Sequence, residues 1–132
     1  MIKYPVKILV AFGEAVDGND KIFTWLLNNG YPELAALAKA IRGSEEANQW
    51  LLKNKFPHYA AFDMAVVNDQ KAIAWLEKYK FSFLLVLADA SRGSKDAIRW
   101  LAMKDLQVFI RIAKKIKFFT DGQTFDYHKL HL

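Results

Sequence analysis

Four groups of residues in this 132-residue chain could do chemistry. His128 and His131 stand three apart with Asp126 nearby, a spacing that could bring two imidazoles to one metal if the segment is helical. Two terminal histidines with no further ligands suggested read instead as a solvated tail, and no metal site is assigned. His58 reads as a partly exposed residue at a helix start. Asp63 is odder, because the equivalent positions elsewhere in the chain carry Gly13, Ala38, Ala88 and Ala113. A carboxylate in a small apolar slot must find a partner or reach water. Catalysis would need a second group at a matching place, and its column supplies none. Neither a two-carboxylate nor a Ser-His-Asp site can be assembled, so the chain reads as a non-enzyme without a cofactor. The fourth group is a row of lysines, Lys53, Lys55, Lys78, Lys80 and Lys104. Such a row could track phosphates, but no aromatic interleaving accompanies it, and it reads first as a solubilising edge.

Composition narrows the classes further. The hydrophobic fraction is 53%, the charged fraction 25%, and the net charge +5, which suits one globular domain over residues 1–132. This charge permits an acidic partner without requiring one. Cysteine is absent, which removes disulfides, thiolate zinc sites and cysteine nucleophiles. Lys3 and Lys7 precede an uncharged run that ends at Glu14, short for a secretory leader, and no run is long enough to span a membrane. The expected location is the cytoplasm.

The elements that would position these residues follow from an internal repeat. "IRGSEEANQWLLK" (Ile41 to Lys53) returns as "SRGSKDAIRWLAM" (Ser91 to Met103). Trp25, Trp50, Trp75 and Trp100 lie 25 residues apart, each followed by leucine. Ten before each Trp is alanine: Ala15, Ala40, Ala65 and Ala90. Agreement in so many columns means tandem structural units. Each unit reads as two short helices. The first starts at an N-cap of Asn19, Ser44, Asp69 or Ser94 and carries the Trp-Leu pair. The second opens near Pro32 or Pro57 and ends at Gly or Asn. "VKILVAFGEAVDG" before the first Trp and "LQVFIRIAKKIKF" after the last read as lone second helices, giving about nine helices. The expected fold is an all-α, right-handed α-solenoid with Trp and Leu filling the space between layers. In the last unit the alanine column becomes Lys115 and its neighbour column Arg111, as expected for a capping repeat that faces water. Residues 117–132 form the tail or cap, leaving the frame at a turn around Asp121-Gly122.

"FLLVLADASRGSKDAIRWLAMKD", from Phe83 to Asp105, resembles the helical part of an ankyrin repeat. The alanine of the first helix, the turn at Gly93 and the apolar pair Trp100-Leu101 carry the likeness. Ankyrin repeats run ~33 residues with a hairpin and a Thr-Pro-Leu-His stretch. Here that stretch is missing, and Pro57-His58-Tyr59-Ala60-Ala61 is its nearest echo. The resemblance implies a partner-binding scaffold whose concave face is lined by the helix before the turn glycine. The missing hairpin takes with it much of the surface that ankyrin arrays use.

Two second-helix columns vary freely: Glu14, Lys39, Met64, Asp89 and Lys114, and Asp17, Arg42, Val67, Arg92 and Lys117. Such columns face either solvent or a partner. The expected binding surface is Lys39, Arg42, Met64, Val67, Asp89 and Arg92, with Met64 as apolar anchor and a protein of unknown identity as partner. The alternative is nucleic acid on the lysine edge.

Overall fold

The computed structural model describes the backbone of residues 1–130 and the side chains of residues 1–123. Its elements are α1 (Val6–Val16), α2 (Asp20–Asn28), α3 (Pro32–Ile41), α4 (Glu45–Lys53), α5 (Pro57–Val66), α6 (Gln70–Lys78), α7 (Ser82–Ser91), α8 (Lys95–Met103) and α9 (Gln107–Leu130). Nine helices and no strand are found among the described residues, in the order the repeat requires.

The short polar residues of the repeat start the helices. Asn19, Ser44, Asp69 and Ser94 each accept, through a side-chain oxygen, from the backbone N–H three residues on, at 3.0–3.2 Å. These bonds satisfy donors that the first turns of α2, α4, α6 and α8 would otherwise leave unpaired. Pro32 and Pro57 open α3 and α5. After α1, α3, α5 and α7 the chain turns through a positive φ at Gly18, Gly43, Asn68 and Gly93. After α2, α4, α6 and α8 it does so at Gly30, Lys55, Lys80 and Asp105, three of which pay for a Cβ in that region.

The odd-numbered helices form an inner row and the even-numbered ones straddle it from outside. Leu26, Leu51, Leu76 and Leu101 point from the outer helices into the interior and are fully buried. From the inner helices, Phe12, Leu37, Phe62, Leu87 and Ile112 are equally buried, one per helix and 25 residues apart. The tryptophans do not fill the space between layers as expected. Trp25 and Trp100 are 42% and 39% exposed, and Trp50 and Trp75 are half-buried. A step of one residue turns a helix by ~100°, so when leucine faces inward its Trp neighbour lies on the flank. There Trp50 stacks on Phe56, with ring centroids 6.4 Å apart, and Trp75 on Phe81 at 5.7 Å. Trp covers its own turn, and leucine holds the layers.

In the last unit Arg111 is exposed as expected, but Lys115 does not face water. α9 packs along α1, so the inner row closes in the order α1, α3, α5, α7, α9 and back to α1. Lys115 bonds Asp17 and lies 3.7 Å from Glu14, both at the end of α1. A Cβ on Gly13 of α1 would sit 3.2 Å from Lys115 Cδ and 3.7 Å from Ile112. The basic residue that replaces alanine in the last unit is there to meet acids in the first. Nor does a turn interrupt α9 at Asp121-Gly122. A glycine inside a helix costs only about 1 kcal/mol, and Lys117 pairs with Asp121 at 2.6 Å across that turn.

Candidate functional site

Both freely varying columns lie at the C-terminal ends of the inner helices, but their members are not alike. Arg42 follows α3 and reaches back to α1. Its Nη1 donates to Val16 O at 2.9 Å, its Cζ lies 3.0 Å from where a Cβ on Gly18 would be, and its guanidinium covers the Phe119 ring. Arg92 repeats the move from α7, donating to Ala65 O at the end of α5 and pairing with Asp89. Lys117 of α9 lays only its stem there, with Cε 2.9 Å from the Cβ position of Gly93, while its ammonium pairs with Asp121. A cation at a helix C-terminus meets unpaired carbonyls and the negative end of the helix dipole, so these contacts tie one unit to the one before. Lys39 is held too, 3.5 Å from Asp20 and over the Phe23 ring.

Val67 breaks the series. It follows α5 where Arg42 and Arg92 follow α3 and α7, and it is 61% exposed. Too short to reach back, it leaves a cleft of about 610 Å³ against the end of α3. Among the described residues, nothing lies within 4 Å of the Cβ position of Gly43, the equivalent of Gly18 and Gly93. Ala40 and Ile41 line one side of the cleft, Ser44, Glu45, Asn48 and Gln49 another, and Asp63, Met64 and Val67 the third. Met64, 40% exposed, is the apolar member of an otherwise charged column.

The floor of this cleft is polar. Asn48 donates its amide to Asp63 Oδ2 at 2.8 Å and to Ala60 O at 3.2 Å. Burial pushes the Asp63 carboxyl up to about 6, against the opposing pull of the Asn48 hydrogen bond. Asp63 was legible as an outlier in its column. Asn48 was missed, although it too breaks its column, whose other members are Phe23, Ile73 and Ile98. So Asn48, Asp63, Met64 and Val67 all depart from the repeat, and all four line one cleft.

The other candidates lie apart from it. Lys53, Lys55, Lys78, Lys80 and Lys104 are exposed around the turns that follow α4, α6 and α8. Lys78 and Lys104 lie over the rings of Tyr79 and Trp100. His58, at the start of α5, stacks on Phe81 at 5.1 Å, and burial among these rings pushes its pKa down. A second polar cluster, also missed, sits nearby: Tyr4 and Tyr59 share a 3.4 Å hydroxyl contact beside Glu33, which is only 9% exposed. Burial, with Tyr59 and Glu33 beside it, pushes the Tyr4 phenol up. Asp126, His128 and His131 fall outside the described side chains.

No protein-family model matches this chain, and neither do any curated protein sequences or solved structures at a significant level. No described helix is long and apolar enough to cross a membrane.

Proposed function

We propose that this chain is a non-catalytic helical-repeat scaffold that binds a protein partner at the C-terminal ends of α3, α5 and α7. One observation carries the reading: Met64 and Val67 are exposed and apolar in columns that are otherwise charged, and together they rim a cleft. Exposed apolar residues gathered at a concavity suit a protein contact, and a flexible thioether adapts to what it meets. Lys39, Arg42, Asp89 and Arg92 flank them with charge that is already engaged within the chain, so the energy of contact falls to Met64 and Val67. The likeness to ankyrin helices supports a scaffold role. In the cleft the Asp63 carboxyl is held by the Asn48 amide, which presents an acceptor to a partner. The absence of cysteine is in keeping with the cytoplasm.

The test is capture of a partner from the native cell on immobilised protein. Met64→Asp leaves the fold intact, because Met64 is on the surface, and reduces capture by about 10-fold or more. Unchanged capture, or an unfolded variant, contradicts the proposal.

The lysine edge supports a second reading, nucleic-acid binding, because all five of its lysines are exposed. Lys53 and Lys78 are also the last residues of α4 and α6, where a cation offsets the helix dipole without any ligand.

A further inference from the structure

The repeat itself shows what fits the open cleft. At the corresponding place between α1 and α3, the Arg42 guanidinium is bonded to Val16 O and laid on Gly18, with an open cleft of about 490 Å³ remaining on its side toward Phe118 and Phe119. Between α5 and α7 the Arg92 guanidinium bonds Ala65 O, and at Gly93 the Lys117 side chain closes in. Moved by one unit, Val16 becomes Ile41, Ala65 becomes Ala40 and Gly18 becomes Gly43, and all three line the cleft that Val67 leaves open. Where the other units supply a cation of their own, this unit supplies two carboxylates, Asp63 on the floor and Glu45 at the side. We infer that the cleft receives an arginine or lysine side chain of the partner protein, in the place that Arg42 and Arg92 fill in their own units.

The chemistry of the lining suits this occupant from end to end. The aliphatic stem of an arginine or lysine packs on apolar surface while its charged head seeks acceptors. Met64, Val67 and Ile41 supply the apolar walls, and Asp63, Glu45 and the carbonyl end of α3 supply the acceptors. Asn48 holds the Asp63 carboxylate by one oxygen. A charge-assisted bond in a partly buried cleft is strong, and a planar guanidinium has donors enough for a carboxylate and a carbonyl together. Glu45 of α4 lines the same cleft as Asp63, and Arg92 of α7 is turned to Ala65 O and Asp89.

This inference rests on the proposed partner face, and a peptide-display selection separates the two. Random peptides are selected on the wild-type chain, then tested on Val67→Arg, Asp63→Asn and Met64→Asp. Val67→Arg restores the residue of the neighbouring units and places a guanidinium in the cleft from within, and the fold is kept because residue 67 is exposed. Wild-type protein is expected to enrich peptides with a fixed Arg or Lys beside an apolar residue. Val67→Arg should abolish their binding, and Asp63→Asn should weaken it about 10–100-fold, the loss of one charge-assisted contact. Enriched peptides without a basic residue, or with equal affinity for Val67→Arg, overturn the cation inference. If such peptides still lose binding to Met64→Asp, the partner face stands and only its specificity is wrong. No enrichment at all, or binding indifferent to all three variants, overturns both.

Discussion

Asp63 is the residue whose chemistry is least explained by structure alone. An acid whose folded pKa is raised from 3.8 to about 6 binds more protons folded than unfolded across that interval. Stability therefore falls as pH rises through it and stays low above, by about 2–3 kcal/mol if burial acts in full. Asp63→Asn keeps the hydrogen bond from Asn48 and removes the charge. Urea unfolding should show the variant more stable by about 1–2 kcal/mol at pH 7.5 and nearly equal to wild type at pH 4. A wild-type chain whose stability does not change over this range would contradict the burial of a charge at Asp63. A carboxylate that costs stability where Ala38 and Ala88 serve equally well is what a binding residue looks like in free-energy terms. The sequence showed Asp63 as an outlier because its own repeats act as controls. It could not show that Asn48 meets it, because that bond joins α4 to α5 and depends on how far the helices rotate toward each other.

At the scale of the element, caps, helix order and turn glycines were all legible, since each is set by residues within one turn. The burial of the Trp-Leu pair was legible only in part. Periodicity marks the apolar stripe but not which of two adjacent apolar residues faces the centre. The consequence is measurable. Leu51→Ala or Leu76→Ala should cost about 2–5 kcal/mol, whereas Trp50→Ala, losing a half-exposed ring stacked on Phe56, should cost about 1–2 kcal/mol. Equal losses would return tryptophan to the interior. The turns give a change of the opposite sign. Lys55 and Lys80 hold φ of 71° and 63°, where the first unit has Gly30. Lys55→Gly and Lys80→Gly should each raise stability by about 1 kcal/mol, read from the urea midpoint at unchanged slope. A loss of stability would mean that these lysines make contacts worth more than the backbone strain.

At the scale of the whole molecule, the unit and its period could be read from the sequence, but the meeting of its ends could not. Closure depends on the small rotation between successive units, summed around five inner helices, and no local pattern encodes that sum. Lys115 was the available clue, a lysine in an alanine column that meets Asp17, 98 residues away. Closure places Phe109 and Ile112 in the core, although they belong to the last unit. Ile112→Ala should therefore cost about 2–5 kcal/mol, as a central residue would, where an open end would lose much less. The lysine edge also belongs to this scale. We expect no specific nucleic-acid binding at physiological salt. A saturable interaction that falls steeply with salt and is lost when Lys53, Lys55, Lys78 and Lys80 become Gln would favour the second reading.

The claim that the cleft is shaped for a cation is tested most directly by the titration of the Asp63 carboxyl, followed by carbon-13 NMR in wild-type and Val67→Arg protein. In the wild type it should titrate near 6. In Val67→Arg, a guanidinium brought one helical turn along α5 should return it to the ordinary carboxylate range, about 4 or below. A carboxyl that titrates near 6 in both proteins would show that a cation placed at residue 67 does not reach the floor of the cleft, and the account of the site would fail.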